Sequence, residues 1–318
     1  MIDFGNTLGP AVLMLTNSDL KIVRLDACSF RDALRLWNEG FAGYFFDMTL
    51  SLDSLLARWQ ACGLSPELSP AAFVEGRPAG LVVNGVRDAG GGREAWNGGT
   101  GVAPEFRRRG LGKALIAAAL DVYRERGART ATLEALAQNR AAISLYERLG
   151  YGIAGHLLLL ESRGRLAPDS FGAVDEHAHA VASAAPHEVA RLDFYDGAVP
   201  WQSRWQSVEL CGGEGLVVSD ASGVAAGYAL YKRGFDAEGK LTGVTLYQCA
   251  HAPGRDDAEA IIARALRAAY SPLGADCRRT THNLGASCEV LLRALRGAGF
   301  GVFAEQVHMS IDLKRAAQ

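Results

Sequence analysis

The sequence predicts an α/β (α+β) chain made of two domains in tandem. Three observations carry this. The 318 residues exceed one ordinary domain and suit two. Strand-like runs alternate with helix-period runs along the whole chain. The second half also repeats the first: one gapless shift of 149 residues lays Pro104 on Pro253 and Gly150-Tyr151-Gly152 on Gly299-Phe300-Gly301.

The elements follow in order. KIVRLDA (21–27) reads as a strand, and SFRDALRLWNEGFAGY as a helix. A second helix, LDSLLARWQACG, follows Ser51 as a possible cap. The runs AAFVEG, PAGLVVNGVRD and EAWNGGTGVAP are β-like, punctuated by Arg-Pro and Gly-Gly turns. Two glycines inside the last, Gly98 and Gly99, suggest a bulge, a close ligand approach or the strand's end. From Leu111, apolar residues recur at helical spacing as far as Val122, and Gly127 suits the C-terminal cap. TATLEALA is a strand, RAAISLYERLG a helix, and YGIAGHLLLLES extended. Residues 166–187, rich in Ala, Gly, Ser and Pro, read as a linker between domains at 1–165 and 188–318. The second half then offers a hairpin (LVVSDASGVAAGYALYKRG), a strand (VTLYQCAHAP) and a helix (DDAEAIIARALRAAY), before RRTTHNLG, SCEVLLRALRGAGF and VFAEQVHMSIDL.

Composition limits the function. Hydrophobic residues are 49% and charged ones 21%, a globular balance. A net charge of −2 provides no global field for nucleic acid. Six scattered cysteines without a C-x-x-C pair point to free thiols in a reducing compartment. No apolar run is long enough to cross a bilayer, so the chain reads as cytoplasmic. His177 and His179, in a polar stretch with no carboxylate or thiol cluster, read as solvated rather than metal-bound.

One stretch carries chemistry: VAPEFRRRGLGKAL, Val102 to Leu115. A strand ending, a tight turn and a helix start leave several backbone N–H groups without acceptors. Gly110 and Gly112 lack the Cβ atoms that would hold a phosphate away, and Arg107, Arg108 and Arg109 add positive charge. The ligand expected is a phosphate or diphosphate. A Walker loop fails because Ala114 follows Gly112-Lys113, and a dinucleotide fingerprint fails at the last glycine of GLGKAL.

The stretch resembles motif A of the GNAT superfamily, the Gcn5-related N-acetyltransferases, in which V-x-P leads into [RQ]-x-x-G-x-[GA] and a long helix. Val102, Pro104, Arg107, Gly110 and Gly112 stand in register. A second block, NRAAISLYERLGY, is similar to the family's N-x-x-A-x-x-L-Y-x-x-x-G-[FY]. The resemblance is specific over about 96–152, looser over 21–95, and limited to the order of elements in the second half. It implies two domains, each a mixed, mostly antiparallel twisted sheet flanked by helices. It implies acetyl-CoA as cosubstrate, with diphosphate at Arg107, Arg108, Arg109, Gly110, Leu111, Gly112 and Lys113, mostly through backbone N–H. Gly101 and Val102 would then meet the pantetheine arm and acetyl carbonyl, Asn139 the arm, and Tyr146 the sulfur.

Acetyl transfer to an amine needs a neutral nucleophile and a proton for the departing thiolate. Deprotonating a lysine-like amine of pKa ~10.4 at neutral pH costs about 4–5 kcal/mol, and an α-amine near ~8 about 1. Glu134, twelve residues before Tyr146, is the candidate base, at the spacing seen in GNAT enzymes resembling the ribosomal-protein alanine acetyltransferases. Glu94 and a water chain are the rivals. Tyr146, with a phenol near ~10, is the candidate acid. No metal is called for. The acceptor is a small amine or a protein amino group; nucleic acid and membrane are not expected partners, and the chain is read as a monomer or homodimer. A non-catalytic acetyl-CoA-binding sensor or interaction module is the alternative.

Under the same shift, Arg107, Arg108, Gly110 and Gly112 fall on Asp256, Asp257, Glu259 and Ile261, while Glu134, Asn139 and Tyr146 fall on Asn283, Cys288 and Leu295. The second half is therefore expected to bind no cofactor and to serve as a structural partner that packs on the first as a pseudo-dimer. Trp201, Trp205 and Tyr195 are read mainly as core. Phe41, Tyr44, Phe45 and Phe46 suggest apolar walls for the acceptor.

Overall fold

The computed structural model describes residues 20–172 and 178–314. The chain divides into two compact units that do not coincide with the sequence halves: described residues 20–58, 64–131 and 313–314 form one, and 59–63, 132–172 and 178–312 the other.

The first unit holds β1 (Leu20–Arg24), α1 (Phe30–Gly40), most of α2 (Leu52–Cys62), β2 (Pro70–Val74), β3 (Arg77–Ala89), β4 (Gly92–Val102) and α3 (Leu111–Glu125). β1, β2, β3 and β4 pair antiparallel in that order. Ser29 caps α1 by accepting from Asp32 N–H at 3.1 Å, and Ser51 accepts from Ser54 N–H at 3.2 Å. α1 stops at Gly40, short of the expected Tyr44, because Asn38 ties to Leu50 and Trp37 Nε1 donates to Met48 O, drawing the chain aside. β1 is shorter than 21–27, ending in a 3-10 turn at Leu25–Ala27. The β2–β3 turn lies at Glu75-Gly76, both with positive φ (50° and 75°), one step before the expected Arg-Pro. The bulge suggested by the paired glycines is real: Val83 faces Gly99 and Asn84 faces Asn97, leaving Gly98 over.

The second unit holds β5 (Thr130–Leu136, whose first two residues count with the other unit), α4 (Arg140–Glu147), β6 (Gly152–Gly164), β7 (His179–Ala184), α5 (Pro186–Val189), α6 (Trp205–Leu210), β8 (Glu214–Asp220), β9 (Ala225–Phe235), β10 (Leu241–His251), α7 (Ala258–Ala269), β11 (Cys277–Thr281), β12 (Leu284–Gly285), α8 (Glu289–Gly297) and β13 (Gly301–Asp312). Its strand order is β5-β13-β6-β11-β10-β9-β8-β7, with β12 on β6. β10 and β11 run parallel, whereas β13–β6, β11–β6, β10–β9, β9–β8 and β8–β7 pair antiparallel. Its main core lies between α7, α8 and the sheet, around Leu246, Ile261, Leu266, Leu295 and Phe300.

Two expectations fail here. The stretch taken as a linker contains β7, paired with β8 over its whole length. His179 is not solvated: it is buried and its Nε2 lies 2.9 Å from Asp257 Oδ2. His177 lies outside the described residues.

The 149-residue repeat is a structural one. β4 at 92–102 maps onto β10 at 241–251, and β6 beginning at 152 maps onto β13 beginning at 301. More tellingly, β6 and β13 pair with each other across the repeat. Leu157 faces Gln306, its own counterpart, and the flanking pairs Leu158–Glu305 and His156–Val307 exchange places under the shift. β13 sits between β5 and β6, and β6 between β13 and β11. Each half thus lends its last strand to a gap in the other's strand series.

Candidate functional site

The turn after β4 belongs wholly to the first unit. Its approach is built from bare backbone. A Cβ on Gly101 would stand 3.0 Å from Gly40 C, and one on Gly80 only 2.6 Å from Gly101 O. Three glycines therefore let α1 and β3 touch the last residues of β4. Sequence inspection passed over Gly40 and Gly80 because their need arises from residues 61 and 21 positions away, as Gly101's number shows.

Within the turn the three arginines divide the labour. Arg107 Nε donates to Val102 O at 2.8 Å, and its Nη2 donates to Ala42 O at 2.5 Å. Its own N–H goes to Pro104 O at 3.3 Å. Arg107 therefore holds the turn against the end of α1. Arg109 lies over the Phe106 ring at 5.7 Å, a cation–π contact. Arg108, with φ 59°, and Lys113 stay exposed. Gly110 occupies the N-cap of α3 in the left-handed region (φ 86°), offers no side-chain cap, and would have nothing within 4 Å of an added Cβ. The first helical bond runs from Ala114 N–H to Gly110 O at 3.1 Å, so the N–H groups of Leu111, Gly112 and Lys113 have no partner in the helix. Open backbone at Gly110, three N–H groups without helical partners and two exposed cations fit a diphosphate.

A cavity of about 340 Å³ on this unit does not compete. Its wall carries Arg35, Glu39, Arg77 and Glu105, but Arg35 pairs with Glu39 and Arg77 with Glu105, which cancels its charge for an anion.

The other candidates lie in the second unit. Asn139 caps α4: its Oδ1 accepts from Ala142 N–H at 3.2 Å, and among the described residues Nδ2 has no acceptor. Tyr146, on the buried side of α4, is 7% exposed and stands edge-on to Tyr151 at 5.9 Å. Glu134 projects from β5, 6% exposed in its side chain, and its Oε1 lies 3.1 Å from His308 Nδ1 on β13. His308 was missed by the sequence reading, since 174 residues separate the pair and no spacing rule spans that. The rival base Glu94 is a buried residue of β4.

The counterpart of the phosphate turn is occupied by the protein itself. Arg255 donates to both oxygens of Asp257 at 2.8 and 2.7 Å and to Asp220 at 2.9 Å. These hydrogen bonds, Ser222's ahead of Arg255's at Asp220, hold the Asp220 carboxyl down at about 2 and push Asp257 lower still. Glu259, where Gly110 would fall, is paired with Arg293. Trp201 is buried, its Nε1 donating to Cys62 O at 2.8 Å, and Tyr195 OH accepts from Trp205 N–H and Gln248 Nε2, so these aromatics pack as expected. Phe41 is buried against Trp37, whereas Phe45 and Phe46 are 50% and 45% exposed. All six cysteines are free thiols. No helix among the described residues is long and apolar enough to cross a membrane.

Comparison with known proteins adds a family. Residues 31–151 match the profile of the Acetyltransferase (GNAT) family. Over 53 residues the chain is 47% identical to the [Ribosomal protein bS18]-alanine N-acetyltransferase of Escherichia coli (strain K12), covering 17% of this chain and 36% of that protein. Over 50 residues it is 44% identical to N-alpha-acetyltransferase 30 of Schizosaccharomyces pombe (strain 972 / ATCC 24843), covering 16% and 33%. The chain spans about a third of the length of these curated relatives. Among solved structures, a tandem GNAT protein from the clavulanic acid biosynthesis pathway aligns over 93% of this chain and 99% of its own, with TM-score 0.62 and 14% identity. A GCN5-related N-acetyltransferase from Sphaerobacter thermophilus aligns over 92% and 96%, with TM-score 0.60 and 18% identity. At such identities these two establish fold only, and they establish it for nearly the whole length. The family match thus covers residues 31–151, and the fold shared with the tandem GNAT structures extends over nearly the whole chain.

Proposed function

We propose that this protein is an acetyl-CoA-dependent N-acetyltransferase whose first half, 1–165, is active and whose second half, 188–318, is a repeat without a cofactor site. The observation that carries the reading is the turn at 107–113: a helix start with a left-handed glycine, open space where its Cβ would stand and three N–H groups without helical partners. Acetyl-CoA would supply an acetyl thioester and, on transfer, a thiolate that needs a proton. The turn residues hold diphosphate through Leu111, Gly112 and Lys113 N–H, with Arg108 and Lys113 adding charge. Gly101 and Val102, at the end of β4, offer backbone to the pantetheine arm, and Asn139 offers its Nδ2. Glu134 would take one proton from the acceptor ammonium, freeing the neutral amine to attack, and Tyr146 would give its phenolic proton to the leaving sulfur and be reprotonated by the proton that the new amide nitrogen sheds.

The acceptor belongs to the class of primary amines. Relatives named for acetylating an alanine amine and for N-alpha-acetylation favour an α-amino group, for which the base has only about 1 kcal/mol of deprotonation to offset. The test is CoA release from acetyl-CoA with a thiol reagent, over amino acids, polyamines, aminoglycosides and peptides with free N-termini. Acceptor-dependent release, greatest for peptides, is expected. No release with any amine would overturn the reading.

A further inference from the structure

We infer that His308 is a positioning residue for this reaction, contributed by the second half of the sequence to the candidate base of the first. The inference rests on the acetyltransferase reading above.

His308 stands on β13, the strand inserted between β5 and β6. Its Nδ1 is 3.1 Å from Glu134 Oε1, and the two side chains are 14% and 6% exposed. An ionised carboxylate only accepts, so Nδ1 carries the proton of this hydrogen bond. The bond restricts a flexible carboxylate to one direction, which is what a general base requires of its support.

Burial alone would explain a partner for Glu134, because an enclosed carboxylate needs one to be stable. The repeat separates the two explanations. The strand exchange is symmetric: Ala137 N–H donates to Glu305 O at 2.9 Å, and its counterpart Ala286 N–H donates to His156 O at 3.0 Å. The acid–imidazole pair is not. Shifted by 149, Glu134 becomes Asn283 and His308 becomes Leu159, which cannot form such a pair. Exchanging strands thus does not require the pair. It occurs only on the side that keeps Asn139 and Tyr146 and is absent where those have become Cys288 and Leu295.

Three measurements on the full-length protein test this. His308→Leu installs the side chain that the repeat itself carries at the related position; kcat should fall at least about tenfold with the KM for acetyl-CoA within about twofold. His308→Asn, whose amide donates from the place of Nδ1, should return kcat to within about threefold of wild type. Wild-type-like kcat in His308→Leu, or equal loss in both variants, overturns the role. Independently of turnover, 15N spectra of histidine-labelled protein, assigned with the Leu variant, should show His308 protonated at Nδ1; a ring protonated at Nε2 alone overturns it. A wild-type protein inert toward every amine sinks the acetyltransferase reading instead, whereas an active wild type with an indifferent His308→Leu sinks only the role of His308.

Discussion

Arg107 carries a charge that its motif assigns to an anion, yet its guanidinium is bound to the carbonyls of Val102 and Ala42. The positive field of the turn is therefore left to Arg108, Lys113 and the helix start, and the backbone conformation becomes decisive. Gly110→Val places a β-branched residue at φ 86°, where left-handed backbone costs about 1–2 kcal/mol. With nothing within 4 Å of the new Cβ, the loss is of turn shape and not of packing. Acetyl-CoA should bind at least about tenfold more weakly by calorimetry, while the thermal midpoint drops only a few degrees. Tyr146→Phe is the complementary case. The ring and its edge contact with Tyr151 remain, so cofactor affinity should hold while kcat falls at least about tenfold, as loss of a general acid implies. An unchanged kcat would remove Tyr146 from proton transfer. Residue types at these positions were legible from the motif, but what each side chain touches was not: the acceptors of Arg107 lie 65 and 5 residues off, at Ala42 and Val102.

Helices α4 and α8 start from the same cap backbone with a different side chain on it. Asn139 caps the first with φ −83° and ψ 65°; Cys288 stands at the same place in the second with φ −79° and ψ 66° and no cap bond. The backbone of a cap has outlived its acceptor. Cys288 is exposed, so Cys288→Asn should stabilise the protein by about 1 kcal/mol, and Asn139→Ala should destabilise it by about the same. Opposite shifts in urea midpoint would check both. A second element-level consequence concerns acid. Asp220 and Asp257 have folded pKa values depressed by their hydrogen bonds. Their contribution is thus present above the ordinary carboxylate value of ~3.9 and is lost as pH falls toward about 2. Arg255→Gln should flatten the decline in unfolding midpoint over that window; an unaltered acid limb would show that the cluster adds nothing to stability. Most elements were readable because turns and caps are local signals. The exceptions are instructive: α1 ends early through side-chain bonds to Met48 and Leu50, and β7 escaped notice because Ala and Ser dilute its apolar pattern.

For the molecule as a whole, the duplication was legible and the exchange of strands was not. A shift of 149 can be read from glycines and prolines, whereas the partner of a strand depends on contacts more than a hundred residues apart, such as Ala137 with Glu305. The repeat also argues for unequal duties. With Asp257 bound to Arg255 and Glu259 to Arg293 where a diphosphate would need donors, calorimetry should give one acetyl-CoA per chain, and a stoichiometry of two would contradict it. A fragment ending at residue 165 would present β5 and β6 without the strand between them. It should be recovered insoluble or without a cooperative melt, since unpaired edges seek other chains.

The position of β13 also sets a timetable. The slot between β5 and β6 stays vacant on the ribosome until residues 301–312 have been made, so the first half of the sequence cannot complete its strand series ahead of the second. Meanwhile a neighbouring nascent chain offers the same segment, and crowded refolding should yield interlocked pairs.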